Sequence, residues 1–243
     1  MNVVIRDTYE EMSKVAAGII AGFVRAKPNC VIGLATGSTP IGTYRELIRM
    51  HKEEGLDFSR VVTFNLDEYY GLLPDNPQSY NYFMYENLFK HINVKPENIH
   101  IPDGMASDVK EYCRNYEEKI KEAGGIDLQL LGIGVNGHIG FNEPDDKLIV
   151  ETHLTDLTQD TVKANSRFFD NIEEVPKKAI TMGVGTILKA RKILLLANGE
   201  SKAQTIYDLL SRDSITTQNP SSLLLLHDDV TVIVDEKAAK LYR

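Results

Sequence analysis

Only two cysteines, Cys30 and Cys113, occur in the chain, and they form no C-x-x-C pair. A disulfide framework is therefore not expected, and both thiols read as buried or partly buried groups held in a reducing compartment. An excess of positive charge is also missing, since 27 Lys and Arg stand against 35 Asp and Glu for a net charge of −8. That balance excludes a broad phosphate-backbone surface, so nucleic acid is not an expected partner. Any anionic small molecule must be held by a local cluster of Lys, Arg and main-chain N–H groups. No run of about 18 apolar residues occurs, and the opening Met-Asn-Val-Val-Ile-Arg-Asp lacks a basic stretch followed by a long apolar one. No membrane partner is expected, and the reading is a cytoplasmic protein. Internal repeats and low-complexity linkers are absent too, which leaves one domain over residues 1–243 as the expectation.

What is present is a regular alternation of apolar patterns. Residues 3–5 read as a short strand; Met12, Val15, Ala16, Ile19, Ile20, Phe23 and Val24 then keep the i, i+3, i+4, i+7 spacing of one helix face, and Pro28 and Asn29 end it. A strand at 30–35, a turn at 37–40, a helix at 41–52 and a strand at 61–66 follow. The alternation continues with a helix at 80–91, a strand at 99–102, a helix at 109–122 and a strand over 128–134. Apolar runs at 179–182, 192–197 and 230–234 are further strand candidates, separated by helical patterns such as 202–210. Repeated βα units predict a Rossmann-like α/β fold, an open and mostly parallel sheet with helices on both faces.

Ligands of such sheets bind just outside the carboxyl ends of the strands. Three strand ends carry suitable chemistry. In Thr36-Gly37-Ser38-Thr39-Pro40 a turn opens a helix, with Ser or Thr at the cap and Pro in the first turn. Free N–H groups and the helix dipole there favour an anion such as phosphate. It is not a P-loop, because no Lys follows the glycine, and G-x-G-x-x-G is absent. The same residues also fit an ordinary capped turn.

In Phe64-Asn65-Leu66-Asp67-Glu68-Tyr69-Tyr70 a strand runs directly into two carboxylates. A carboxylate partly desolvated by aromatics is a credible base for a carbon acid, although Asp67 capping a turn with Glu68 in solvent is the commoner arrangement. In the third segment Leu128, Leu130, Leu131 and Ile133 lead into Gly132, Gly134, Gly137 and Gly140, with Asn136, His138 and Glu143 among them. A neutral imidazole can accept one proton and donate another, and Asn136 or Glu143 could fix its tautomer. The remaining histidines, His51, His91, His100, His153 and His227, show no H-E-x-x-H or Cys/His spacing, so no metal is expected. Tyr80, Tyr82, Phe83, Tyr85, Leu88 and Phe89 have largely helical spacing and read as core contacts. Arg167 and Lys202 are candidate phosphate clamps, with a solvated surface charge as the alternative for each.

Taken together, the chain resembles the glucosamine-6-phosphate deaminases. The matching segments are residues 35–40, 64–69, 137–144, 164–169 and 182–186, in order over nearly the whole chain. The resemblance implies conversion of glucosamine 6-phosphate and water to fructose 6-phosphate and ammonium, without metal or organic cofactor. It assigns ring opening to His138, oriented by Asn136 and Glu143, and transfer of the carbon 2 proton to Asp67. It assigns phosphate to Gly37, Ser38, Thr39, Arg167 and Lys202, and a lid to residues 158–176. Many members carry Asp where this chain has Asn136; an amide oxygen can still accept from the imidazole but cannot stabilise an imidazolium by charge. Allosterically activated hexameric members carry a carboxyl-terminal extension, and this chain stops at Arg243, so activation is not expected and the reading is a monomer or small homo-oligomer. Two rivals use a similar fold. A 6-phosphogluconolactonase-like hydrolase is opposed by residues 141–144 and 165–169, and a sugar-phosphate-sensing regulator would need a helix-turn-helix, for which the chain has no room before its first βα unit.

Overall fold

The first strand of the chain, β1 (Asn2–Arg6), lies in parallel beside the last, β10 (Val230–Asp235), with Asn2 opposite Thr231 and Arg6 opposite Asp235. This pairing and those described next come from a computed structural model, which describes residues 1–166, 169 and 171–242. Between β1 and β2 (Val31–Leu34) runs α1 (Tyr9–Ala26), which starts where the Thr8 side chain accepts the Glu11 N–H. Glu10 and Glu11 sit at the positive end of its dipole, and the stripe Met12, Ala16, Ile20 and Val24 is buried at i, i+4 spacing. The chain continues through α2 (Ile41–Glu54), β3 (Val62–Asn65), β4 (Asp67–Tyr69), α3 (Tyr80–Asn87), β5 (Ile99–His100), α4 (Val109–Glu122) and β6 (Leu128–Leu131). It then forms β7 (His153–Asp156), α5 (Gln159–Asn165), β8 (Lys178–Thr181), α6 (Val184–Leu188), β9 (Lys192–Ala197) and α7 (Ala203–Leu210) before β10.

Seven strands make the main sheet in the order β1-β10-β9-β6-β2-β3-β5, and every pair in it is parallel. Period-2 alternation divides each inner strand between two cores. Leu194 and Leu196 of β9 join Met12, Tyr44, Leu47 and Met84 on the face covered by α1, α2 and α3. Ile193 and Leu195 join Tyr116, Ile187, Ile206 and Leu209 on the face covered by α4, α6 and α7. The expected α/β sheet with helices on both faces is the one observed. Cys30 and Cys113 are both buried, and among the described residues no helix is long and apolar enough to cross a membrane.

From β2 the chain moves outward through β3 to β5, then returns to β6 on the other side of β2 and moves outward again to β9 and β10. The loops leaving β2 and β6 therefore part, and a crevice opens between their carboxyl ends. Asp127 secures the opposite ends. Buried just before β6, it accepts the Val31 N–H at 2.8 Å and the Lys27 ammonium at 2.8 Å, and it pairs with Arg191 just before β9.

The structure also differs from the sequence reading in its smaller parts. The apolar run at 179–182 does not join the main sheet; β8 pairs antiparallel with β4 and β7 in a second, three-stranded sheet. Leu66 is the crossing point, since its N–H donates to Leu34 O of β2 while its carbonyl accepts from Met182 N beyond β8. A continuous apolar run hides that change of sheet, and Asp67 and Glu68 are poor strand formers. The helix over 80–91 is α-helical only to Asn87, followed by a 3-10 turn at Phe89–His91. The strand over 128–134 ends at Leu131, where the glycines begin to turn.

Burial would push the Asp127 carboxyl up, but Lys27, the Val31 N–H and Arg191 outweigh it and hold it below the ordinary carboxylate range. A depressed carboxyl contributes stability that is full above its unfolded value of about 3.9 and fades as pH falls through the folded one. Because Lys27 and Arg191 remain half-exposed, Asp127→Ala is expected to cost about 2 kcal/mol at neutral pH, less than a fully enclosed pair. Urea unfolding checks this: the midpoint should drop at constant slope, and the difference should narrow below about pH 4.

Candidate active site

Beyond β2 the chain turns at Thr36 to Thr39, with Gly37 at φ +96° as the one residue that must be glycine. No Ser or Thr side chain caps α2, contrary to the sequence reading. Pro40 takes the cap position, and the Thr39 hydroxyl is drawn away to Asn198 Oδ1 at 2.8 Å. The capping group is instead Tyr9 of α1, whose hydroxyl accepts the Gly42 N–H at 2.7 Å and lies 3.1 Å from the carbonyls of both Ser38 and Thr39. With the carbonyls turned toward Tyr9, no group among the described residues accepts from the N–H groups of Gly37, Ser38 or Thr39. These N–H groups stand at the positive end of a four-turn helix, an arrangement that binds anions.

The Thr39–Asn198 bond joins this turn to the end of β9. Gly199 follows at φ +85°, its N–H shared between both Asp235 oxygens at 3.0 Å, and the 3-10 turn Glu200–Lys202 leads into α7. Lys202 thus belongs to a turn tied to the Gly37–Thr39 turn. Asn198 was not singled out by the sequence; an Asn before a glycine at a strand end is its only signature. Arg167 lies outside the described residues.

After β6 the glycines bring His138 back over the main chain. Gly134 N–H donates to His138 O at 2.9 Å, and a side chain at Gly134 would fall 2.2 Å from the imidazole. His138 Nδ1 lies 3.2 Å from Glu143 Oε2, an ion-pair distance but off the line of a good hydrogen bond. Asn136 does not accept from the ring. Its Oδ1 takes the His138 main-chain N–H at 3.2 Å, and its Nδ2 donates to Glu143 Oε2 at 2.7 Å. The reason is spacing: an Asx turn two residues long captures the oxygen locally, which leaves only the amide nitrogen to reach Glu143. Glu143 is buried, which would push its carboxyl up, but His138, Thr161 and Asn136 together hold it down at about 2.

Asp67 is also buried and has no ion pair among the described residues; burial, with Glu68 beside it, pushes its carboxyl up to about 8. In the small sheet it is paired with Thr181, whose hydroxyl accepts the Phe141 N–H at 3.1 Å. A side chain at Gly140, φ +57°, would come within 2.9 Å of the Thr181 hydroxyl and 3.6 Å of Asp67 Oδ2. Asp67 is therefore brought to the His138 turn. Glu68 has a different role: it accepts from the N–H groups of Tyr69, Tyr80 and Asn81 at 2.8, 2.9 and 2.8 Å and so anchors the start of α3. Burial still pushes it up to about 7 against those three donors. It is not the solvated residue of the commoner sequence pattern. Tyr69 and Tyr80 both stand within reach of the Asp67 charge, with Tyr80 stacked on Phe141 at 6.0 Å between centroids and 4.7 Å from Tyr69. Tyr80 thus belongs to the site, while Tyr82 and Tyr85 are exposed rather than core.

A main-chain anion turn, a buried carboxylate with no ion pair among the described residues and an imidazole–carboxylate pair at the strand ends of an open sheet define an α/β enzyme acting on a small anionic molecule. Residues 6–233 match the family of glucosamine-6-phosphate isomerases and 6-phosphogluconolactonases, and the chain belongs to it. It is 59% identical to the glucosamine-6-phosphate deaminase of Halothermothrix orenii over 99% of this chain and 100% of that one. With the glucosamine-6-phosphate deaminase of Thermoanaerobacter sp. strain X514 it shares 58%, over 99% of this chain and 95% of the relative. A solved monomeric glucosamine-6-phosphate deaminase superposes with a TM-score of 0.96 at 50% identity, covering 99% and 100% of the two chains. The 6-phosphogluconolactonase of Trypanosoma brucei shares the fold, with a TM-score of 0.77 at 19% identity and coverage of 98% and 97%.

Two glycines of the turn separate packing of the ring from simple flexibility. Gly132 has open space where a side chain would go, whereas Gly134 faces the imidazole. Gly134→Ala should lower turnover at least about tenfold by displacing the ring, and Gly132→Ala should stay within about twofold. Steady-state rates of the two variants, at equal melting temperature, check the difference.

Proposed function

We propose that the chain is a glucosamine-6-phosphate deaminase, converting glucosamine 6-phosphate and water to fructose 6-phosphate and ammonium. The observation that carries this reading is the buried Asp67, which has no ion pair among the described residues, beside the turn that holds His138. Hydrolysis of a lactone needs a base for water but none for a C–H bond. Aldose–ketose isomerisation needs both a proton shuttle between oxygens and a fixed base at carbon.

Each step follows from the groups present. Glu143, ionised at about 2, favours the imidazole tautomer with its proton on Nδ1 and leaves Nε2 as acceptor. Nε2 takes the proton of the anomeric hydroxyl and delivers it to the ring oxygen, which breaks the ring C–O bond and yields the open-chain aldehyde. Asp67 then removes the proton on carbon 2 as the carbonyl oxygen of carbon 1 takes a proton, giving an enolamine, and returns its proton to carbon 1 as the nitrogen gives one up, leaving a hydroxyl on carbon 1 and a ketimine at carbon 2. Water adds there and ammonium departs, so the water oxygen becomes the ketone oxygen of the product. Asn136 serves in this scheme by holding Glu143 rather than the ring. The N–H groups of Gly37, Ser38 and Thr39, with Lys202 and Arg167, take the phosphate, and the lid implied by the resemblance falls on residues 158–176, of which 167, 168 and 170 lie outside the described residues. The chain works in the cytoplasm, where two buried free thiols persist, as a monomer or small homo-oligomer without metal or organic cofactor.

Incubation with glucosamine 6-phosphate should release ammonium and fructose 6-phosphate in equal amounts; no turnover by pure, folded protein overturns the assignment. Hydrolysis of 6-phosphogluconolactone above background, without deamination, would favour the lactonase instead. Asp67→Asn should lower turnover by about 10²- to 10⁴-fold and abolish exchange of the carbon 2 proton with solvent, while substrate affinity stays within a few-fold. Unchanged exchange removes Asp67 from the role of base. Since the base must be ionised and its carboxyl is pushed up to about 8, kcat/KM should rise from about pH 6 toward pH 8. A flat profile across that range contradicts the assignment of this limb to Asp67.

A further inference from the structure

Glu143 has two oxygens, and the reaction as derived uses only one. Oε2 is the oxygen 3.2 Å from His138 Nδ1 and 2.7 Å from Asn136 Nδ2. Oε1 points the other way, to α5, where it accepts from the Thr161 hydroxyl and lies 3.4 Å from the Thr158 hydroxyl. Thr161 is itself buried, at 7% exposure. Thr158 caps α5, its oxygen taking the Thr161 N–H at 3.2 Å, and its own hydroxyl donates to Thr161 Oγ1 at 3.1 Å. The Thr161 oxygen is thus supplied with a donor, so its single proton is directed to the carboxylate.

The terminal torsion of a glutamate is broad, and a carboxylate held at one oxygen alone can turn about it. Here Oε1 is held by one segment of the chain and Oε2 by another, which removes that freedom. We propose that Thr161 is a positioning residue: by fixing Glu143 Oε1 it keeps Oε2 within ion-pair distance of His138 Nδ1 and so sets the imidazole for ring opening. The proposal rests on reading His138 and Glu143 as the ring-opening pair. It makes the seating of α5 a condition for ring opening, with no contact between Thr161 and the substrate required.

Three variants and two readouts test it. Thr161→Val keeps the shape and removes the hydroxyl, Thr161→Ser keeps the hydroxyl, and Glu143→Gln tests the underlying pair. Kinetics with glucosamine 6-phosphate give kcat and KM. Affinity for the reduced, open-chain 2-amino-2-deoxyhexitol 6-phosphate reports a site that has no ring to open. Thr161→Val should lower kcat about ten- to a hundredfold, with KM and open-chain affinity within about threefold, and Thr161→Ser should return kcat to within about threefold of the parent. A wild-type kcat in Thr161→Val overturns the proposal. So does a Thr161→Ser as slow as Thr161→Val, which would mark a packing role, or a loss of open-chain affinity equal to the loss of kcat. A slow Glu143→Gln beside an unaffected Thr161→Val sinks the proposal alone, whereas a Glu143→Gln with wild-type kcat sinks the reading beneath it.

Discussion

Asp127 fixes the register of the two strands between which the chain reverses direction. It is the acceptor for Val31 at the start of β2, its own N–H donates to Val31 O, and Arg191 brings in the start of β9. With Ile32 opposite Leu128 and Gly33 opposite Gln129, β2 and β6 run together briefly and then part. Everything at the site hangs on that parting. The turn after β2 offers N–H groups to the crevice, the turn after β6 offers His138, and Thr39 with Asn198 draws in the turn after β9. Asp67 arrives by another route, through Leu66, which bonds to both sheets.

The site then depends on keeping three buried carboxylates different. Glu143 and Asp67 are both buried, yet one is held at about 2 and the other pushed up to about 8. Donors make the difference. Glu143 receives them from Asn136 and Thr161 and faces an imidazole, while among the described residues Asp67 has Glu68 as its charged neighbour. Glu68 spends its acceptor capacity on three main-chain N–H groups of its own strand and of α3. A strongly ionised acid suits a permanent partner of an imidazole, and a reluctant one suits a base that must hold a proton between two carbons. In the proposed reaction the adjacent Asp67 and Glu68 therefore serve opposite ends, one chemical and one structural.

Much of this was legible in the sequence, for identifiable reasons. The period-3.6 stripe Met12 to Val24 and the apolar runs of β6, β9 and β10 reveal the layers because burial on a helix stripe or a two-faced strand leaves a periodic mark. The segments that carry Gly37, Asp67 and His138 stand out because chemistry is concentrated after strands. The second sheet was not legible: β4 and β7 are short and polar, and the fate of β8 is decided by Leu66, whose hydrogen bonds no pattern records. Nor was the true partner of Asn136, since an Asx turn and an imidazole compete for the same oxygen. Tyr9, which caps α2 from 33 residues away at Gly42, is a tertiary substitute for a local cap. Sequence rules place caps locally, so they assigned that role to Ser or Thr.

The same fold in a 6-phosphogluconolactonase at 19% identity shows that the sheet and its edges do not choose the reaction. A phosphate turn and an imidazole–carboxylate pair are compatible with either chemistry, because opening a sugar ring and attacking a lactone both begin with a proton moved between oxygens. What isomerisation adds is a base that reaches a C–H bond without being quenched by a cation. In the proposed reaction that requirement falls on the short second sheet, where Asp67 is paired with Thr181 and Tyr69, two residues on, packs against Tyr80 and Phe141. In the proposed reaction the large sheet thus supplies the place for the sugar phosphate, and the small one supplies the carbon chemistry. Leu66, at the junction of the two, ties the residue before Asp67 to both sheets.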